Sequence, residues 1–501
     1  MPESEQRSQR NCGVRVKCQS KCSGAKARLL WHFTLTPFLL TPFLVVVSAV
    51  CLAATAVAAD KKALVGGTLI NGLGSPPVRN SVVLIDGETI EEIGTVDSLA
   101  VPPGYAVIST EGMSVLPGLW DMHVHLDING HADYDHWMPT YKDRFASEIM
   151  PASAVQLLLA GITTARDLGA ELDDSLQVRK RINDGEIPGP RLFISGPFLQ
   201  HEAYPGTEDY RWGISSPKDA RDKVNQLADA GVDVIKMIDQ DQMTFEEAQA
   251  LVDQAHKRGL KVVAHAHRPE EIRRGLLIGV DNFEHTGLSS APEYPESVMT
   301  PLEERTAAGM IVGEPLYWTP TVEGLWNYEY MRDNPEGLDD TCWHRGLQAD
   351  TIADISASIA HPDELLYFQL TPKRKPTLQR KFQQLRESGV VLLVGTDSGI
   401  PLNFHCRSTW QELDVWVNVM DVPAMEAIQA ATYWPSKFMR VEQRWGSLVA
   451  GRYADIIAVK GDVLRYIDLL QNVDLVMKGG TVYKQDGVPV GDLGSEDLGS
   501  E

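Results

Sequence analysis

Residues 261–287 read KVVAHAHRPEEIRRGLLIGVDNFEHTG, and the fold turns on them. KVVAHAH is an apolar run that ends in histidines. DNFEHTG is a second short strand, ending in His285. Between them PEEIRRGLLIG has helical character and stops at Gly279, a common C-terminal signal. Strand, helix and strand in so short a span form the unit of a parallel sheet.

The same alternation runs outward in both directions. Further strand candidates are GLWDMHVHL (118–126), GITTARDLG (161–169), RLFISG (191–196), VDVIKMI (232–238), YWTPTVEG (317–324) and VVLLVGTDSG (390–399). Helical segments at 151–160, 174–185, 217–231, 244–259 and 378–389 separate most of them. Eight strands alternating with helices predict an α/β protein built as a parallel barrel, with its chemistry at the C-terminal strand ends. An open doubly wound sheet is the alternative, but no Gly-rich dinucleotide fingerprint follows the first strand. Between the seventh and eighth strands an excursion from about Trp326 to Lys375, rich in Tyr, Trp, Asp and Pro, is placed to cover the site.

Residues 61–116 have a different texture, of short strands punctuated by Gly, Asp and Asn, and it returns near 446–485. The late stretch is expected to complete the sheet that the early one begins. The expected organisation is a leader at 1–59, one part of a small β-unit at 60–117, the barrel at 118–440, the second part at 441–487, and an acidic tail at 488–501 without fixed structure. That tail repeats DLGSE from Asp492 to Glu501.

The chain has 501 residues, 43% apolar and 23% charged, with a formal net charge of −22. Such a surface repels nucleic acid phosphates and anionic membranes. Residues 1–28 are basic, an apolar run from Leu29 to about Ala59 follows, and small residues Ala56 and Ala58 mark a cleavage site. This describes a secretory signal, with an uncleaved membrane anchor as the alternative. Export to the periplasm or outside the cell follows. Removing 1–59 takes away four of the six cysteines and leaves Cys342 and Cys406, which could pair in an oxidising compartment.

Several polar side chains sit where a barrel performs chemistry. His123 and His125 alternate on one strand, so both imidazoles face one way. His265, His285 and Asp397 close the fifth, sixth and eighth strand candidates, each after an apolar run. A polar residue there must be satisfied or it costs free energy, and as a set the five point to a metal centre. Lys236, inside the apolar GVDVIKMI, is a buried lysine whose neutral amine could react with carbon dioxide to give a bridging carbamate. The plainer reading pairs it with Asp239 or Asp241.

Taken together, His-Val-His after PGLWDM, GITTARDLG, GVDVIKMI, AHAH, GVDNFEHTG, GTDSG and GSLVAGRYADIIAV resemble the amidohydrolase superfamily, above all its imidazolonepropionase-like and prolidase-like branch. The resemblance covers nearly all of residues 61–485. It implies a (β/α)8 barrel of the TIM type with a flanking β-sandwich formed from both chain ends. It implies one divalent cation on His123, His125 and Asp397, and a second on His265 and His285, with carboxylated Lys236 between them. Zinc suits these ligands. Asp397 then serves as ligand and as general acid/base toward a metal-activated water.

The implied function is hydrolysis of a carbon–nitrogen bond in a small molecule such as a dipeptide or N-acyl amino acid. A lactonase or esterase on the same centre is the alternative within the class, and a non-catalytic binding scaffold the alternative outside it. His201, Tyr204, His267 and His405 are candidate substrate contacts; relatives often carry His-Gly where this chain has His405-Cys406. Arg166-Asp167 reads as structural. His131, His136, His256, His344 and His361 read as surface residues. Asp239 and Asp241, in a stretch where many relatives are small and Gly-rich, are expected to favour a cationic side chain in the substrate. Self-association is left open by the sequence.

Overall fold

A computed structural model describes residues 61–287, 289–333, 340–491 and 493. The leader at 1–59 and most of the repeated tail lie outside the described residues. All eight expected strands form: β1 (Leu119–Val124), β2 (Ile162–Asp167), β3 (Arg191–Ile194), β4 (Val234–Met237), β5 (Lys261–His265), β6 (Asn282–Glu284), β7 (Tyr317–Thr319) and β8 (Val391–Leu392). Every pairing among them is parallel.

The strands form two parallel sheets, β1-β2-β3 and β4 through β8, the second extended beside β4 by short strands Phe198–Gln200 and Arg211–Gly213. Backbone bonds cross both gaps. Asp233 donates to the Ile194 carbonyl at 2.9 Å, and Met122 and His125 donate to Val394 and Ser398 at 3.0 and 2.9 Å. Buried Asp121 reinforces the second gap, since its carboxylate accepts from Thr396 and Thr409 hydroxyls at 2.8 Å.

Helices α1 (Met150–Leu159), α2 (Leu172–Asn183), α3 (Pro217–Ala230), α4 (Phe245–Lys257) and α5 (Pro269–Ile278) match the expected segments within a few residues. Their ends obey local chemistry. Ser216 caps α3 and Thr244 with Glu247 forms a capping box on α4. Gly231 and Gly279 close α3 and α5 in the left-handed region at φ 88° and 90°, where a Cβ would add strain.

Helix α6 (Glu296–Val312) was not legible, because Pro295 and Pro301 break up its pattern. The excursion before β8 is helical too. Helices Glu323–Asp333, Ala349–Ser358 and α7 (Leu366–Glu387) occupy it, the first starting just before it and α7 running on through most of the expected segment at 378–389. It does reach the site, since its Tyr328 lines a cavity there together with Leu378 farther along α7.

The two chain ends meet in a way only partly foreseen. Lys61–Val65, Ser81–Asp86, Thr89–Thr95 and Ala106–Ser109 make a four-stranded sheet from the early segment alone. Met113–Pro117 instead joins a second sheet, pairing antiparallel with Ile456–Lys460, so that Leu116 faces Ile457. Leu64, Val83 and Ile85 of the first sheet share one buried cluster with Val115, Ile456 and Met477 of the second. Each such aliphatic side chain removed from water contributes roughly 1.5–3 kcal/mol. The second sheet ends with strand Val488–Pro489, so ordered structure runs past residue 487.

Candidate metal centre

The C-terminal ends of the strands collect the six expected residues. His123 on β1 and His125 directly after it share a face, while Met122 and Val124 pack on the other into apolar clusters. Asp397, after β8, adopts φ 61°, and its backbone N–H donates to the His123 carbonyl at 2.7 Å. This turn aims its carboxylate at the pair: Oδ1 lies 3.1 Å from His125 Nε2 and 3.3 Å from His123 Nε2. His285 is also left-handed, at φ 74°. That break in alternation lets Glu284 and His285 both reach inward from adjacent positions. Two non-glycine residues held in this uncommon conformation at one site are the kind of strain that surrounding structure imposes for function.

His285 Nε2 lies 3.0 Å from His265 Nδ1, and its Nδ1 lies 2.7 Å from the Thr321 hydroxyl. The His267 ring stacks on His285 with centroids 4.4 Å apart. Ligand-capable atoms therefore fall into two groups, His123/His125/Asp397 and His265/His267/His285, each within 4.8 Å. His267, expected at the rim, belongs to the second group.

Lys236, on β4, is fully buried and its Nζ has no hydrogen-bond partner. Pairing with Asp239 or Asp241 does not occur. Arg268 holds both acids, at 2.8 and 2.7 Å. Burial pushes the Lys236 ammonium down to about 8, against the attraction of Glu284 and Asp397. Burial, then the nearby Lys236, or His267 in the case of His285, holds His123, His265 and His285 well below the ordinary histidine range. Burial also opposes charge on His125, but the hydrogen bond and charge of Asp397 outweigh it and raise that imidazole.

One residue that sequence reasoning missed, Glu284, orients the first group together with Arg166. Glu284 places Oε2 at 2.9 Å from His123 Nδ1 and Oε1 at 2.7 Å from Arg166 Nη2, all fully buried. Arg166 also donates to the Met122 carbonyl at 2.7 Å. The structural reading of Arg166 holds, and the ion pair is with Glu284. The available signal was a second acid-or-imidazole side chain directly before His285 at the strand end.

The expected substrate contacts are scattered. His201 is exposed. Tyr204 is half exposed, with its hydroxyl 3.4 Å from Asp239. His405 is not on the cavity side. It is fully buried behind His125, where its Nε2 donates to the His125 carbonyl at 3.1 Å, and burial pushes its imidazole down to about 3. Of the expected surface histidines, His131 is instead buried, and with His136 it faces Asp354.

The donor set fits divalent cations. Neutral imidazoles, carboxylates and a buried amine converge, and His123 Nε2 and Lys236 Nζ are orphaned in the core. Such orphans cost free energy unless something satisfies them. A divalent ion between the nitrogens and Asp397 would do so.

Residues 114–483 match the Amidohydrolase family. The chain belongs to the amidohydrolase family. Its members are typically metal-dependent, in keeping with the two ligand groups. Among curated relatives, the amidohydrolase chain is 26% identical over 472 residues to ochratoxinase of Aspergillus niger, covering 85% of this chain and 87% of that one. Among solved structures it resembles a Xaa-Pro dipeptidase with methionine bound in its active site, at 26% identity and TM-score 0.67, covering 85% of this chain and all of that one. The crystal structure of A. niger ochratoxinase aligns with TM-score 0.63 and 24% identity over 87% of this chain and 98% of that one.

Proposed function

We propose that this amidohydrolase cleaves the amide bond of a small substrate, a dipeptide or an N-acyl amino acid. The observation that carries the reading is the pair of ligand groups with an orphaned, buried Lys236 whose charge bears on His123 of one and on His265 and His285 of the other. The similarity to a Xaa-Pro dipeptidase and to ochratoxinase supports the choice of an amide.

His123, His125 and Asp397 would hold one divalent cation, and His265 and His285 the other, with carboxylated Lys236 bridging and His267 alongside. Zinc is the ion we favour for these ligands. Bound cations would supply an acidified water and a polarised substrate carbonyl. The protein's part is positional and protolytic. Glu284 fixes the His123 ring through Nδ1, leaving Nε2 for the centre. His405 holds the His125 backbone from behind. Asp397, the partly exposed acid between the two groups, takes the proton of the attacking water and delivers it to the leaving nitrogen.

The reading includes closure of the eight strands into a barrel, supported by the backbone bonds across both gaps. It includes a flanking β-sandwich from 60–117 and 441–487, supported by the cluster that the two end sheets share. It also includes export, supported by the pairing of Cys342 with Cys406, since disulfides persist in oxidising compartments. Among the described residues no helix is long and apolar enough to cross a membrane.

The test is a screen of dipeptides and N-acyl amino acids with the metal-loaded protein, before and after chelation. Metal-dependent amide turnover supports the reading, and turnover confined to esters or lactones overturns it.

A further inference from the structure

A cavity of about 170 Å³ opens onto His125, His265, His267 and Asp397, with the segment after β3 as its opposite wall. Among the described residues lining this cavity and the smaller one beside it, Arg211 is the single lysine or arginine. Its place is set by the short strand Arg211–Gly213, which pairs in parallel with Phe198–Gln200.

Other arginines near the centre are neutralised. Arg166 is bound to Glu284, and Arg268 to Asp239 and Asp241. Arg211 has no carboxylate within ion-pair distance among the described residues. Its side chain donates from Nη1 to the neutral amide oxygen of Gln200 at 3.1 Å and also hydrogen-bonds the neutral phenol of Tyr210, while its buried Nε has no partner. Phe198, Tyr204 and Tyr210 surround the guanidinium with ring centroids at 5.1, 4.9 and 5.3 Å. These rings hold its plane in position without cancelling its charge. A half-buried guanidinium with free donors is matched by a planar anion, which it can grip through two parallel hydrogen bonds. The chain as a whole carries a net charge of −22. Its general field therefore discourages anions, and a local cation must attract them.

We propose that Arg211 binds the free carboxylate of the substrate's leaving amino acid, so that the enzyme acts on amide bonds next to a terminal carboxylate. This rests on the amide-hydrolysis reading above.

The test compares N-acetyl-L-leucine with N-acetyl-L-leucinamide, followed by acetate release and by calorimetric binding, in wild type, Arg211→Met and Arg211→Lys. Loss of a charge-assisted contact predicts that the acid-over-amide preference in kcat/KM falls by about 10- to 100-fold in Arg211→Met, mainly through KM for the acid. Arg211→Lys should retain part of the preference, and unchanged thermal melting shows that both variants are folded. A preference unaltered in Arg211→Met, or a wild type that binds acid and amide equally well, overturns the proposal. If the wild type hydrolyses neither compound yet binds the acid in an Arg211-dependent way, the carboxylate site stands and the amide-hydrolysis reading falls.

Discussion

The carboxylate of Glu284 lies 2.9 Å from Nδ1 of His123, and both side chains are fully buried. This contact connects the most secluded histidine of the centre to Arg166 on β2. A histidine ligand whose second nitrogen is held by a carboxylate has a fixed tautomer and ring orientation. Glu284→Gln should therefore weaken metal affinity by about 10- to 100-fold. Competition against a metallochromic chelator measures this, and wild-type affinity in the variant would remove Glu284 from the account.

Lys236 gives a pH dependence with a definite sign. Only its neutral amine reacts with carbon dioxide, and burial lowers the ammonium to about 8. The reactive fraction in metal-free protein should thus rise as pH increases through about 8. At fixed dissolved carbon dioxide, metal uptake should be faster at pH 9 than at pH 7. Lys236→Ala should bind a single cation tightly. Tight binding of two cations by that variant would exclude the bridge.

Cys342 and Cys406 join the excursion before β8 to the segment that carries His405. His405 in turn supports the His125 backbone. Replacing both cysteines by serine should cost about 2–4 kcal/mol, read from denaturant unfolding of the oxidised protein. A double variant as stable as wild type would show that the crosslink constrains nothing.

Asp239 and Asp241 are both clamped by Arg268. Their charges are spent on that arginine, so they should not select a cationic substrate, contrary to the expectation from sequence. Asp239→Asn with Asp241→Asn should leave the preference between Arg- or Lys-containing and neutral dipeptides unchanged. A shift toward neutral dipeptides in kcat/KM ratios would restore the earlier view.

The strand positions and the six principal residues were legible because an apolar run ending in a polar residue is a local pattern. The helix stops at Gly231 and Gly279 were similarly local. What escaped depended on contacts far apart in sequence. Glu284 meets Arg166 across 118 positions, and His405 meets the His125 carbonyl across 280. No periodicity records such partners. The inward turns of His285 and Asp397 rest on positive φ angles imposed by their surroundings. His267 shows the limit of alternation, which places it on the same face as His265 but cannot say whether it joins the cluster. The proline-broken α6 and the excursion helices illustrate tertiary packing overriding weak local signals.

The central claim is that the two ligand groups hold divalent cations and that these enable amide hydrolysis. Elemental analysis of the purified protein, coupled to a dipeptide assay before and after chelation and after metal is restored, tests it most directly. The account predicts about two divalent ions per chain, with activity lost and regained as they are. A protein free of tightly bound metal, or one whose amide turnover survives complete metal removal, would contradict it.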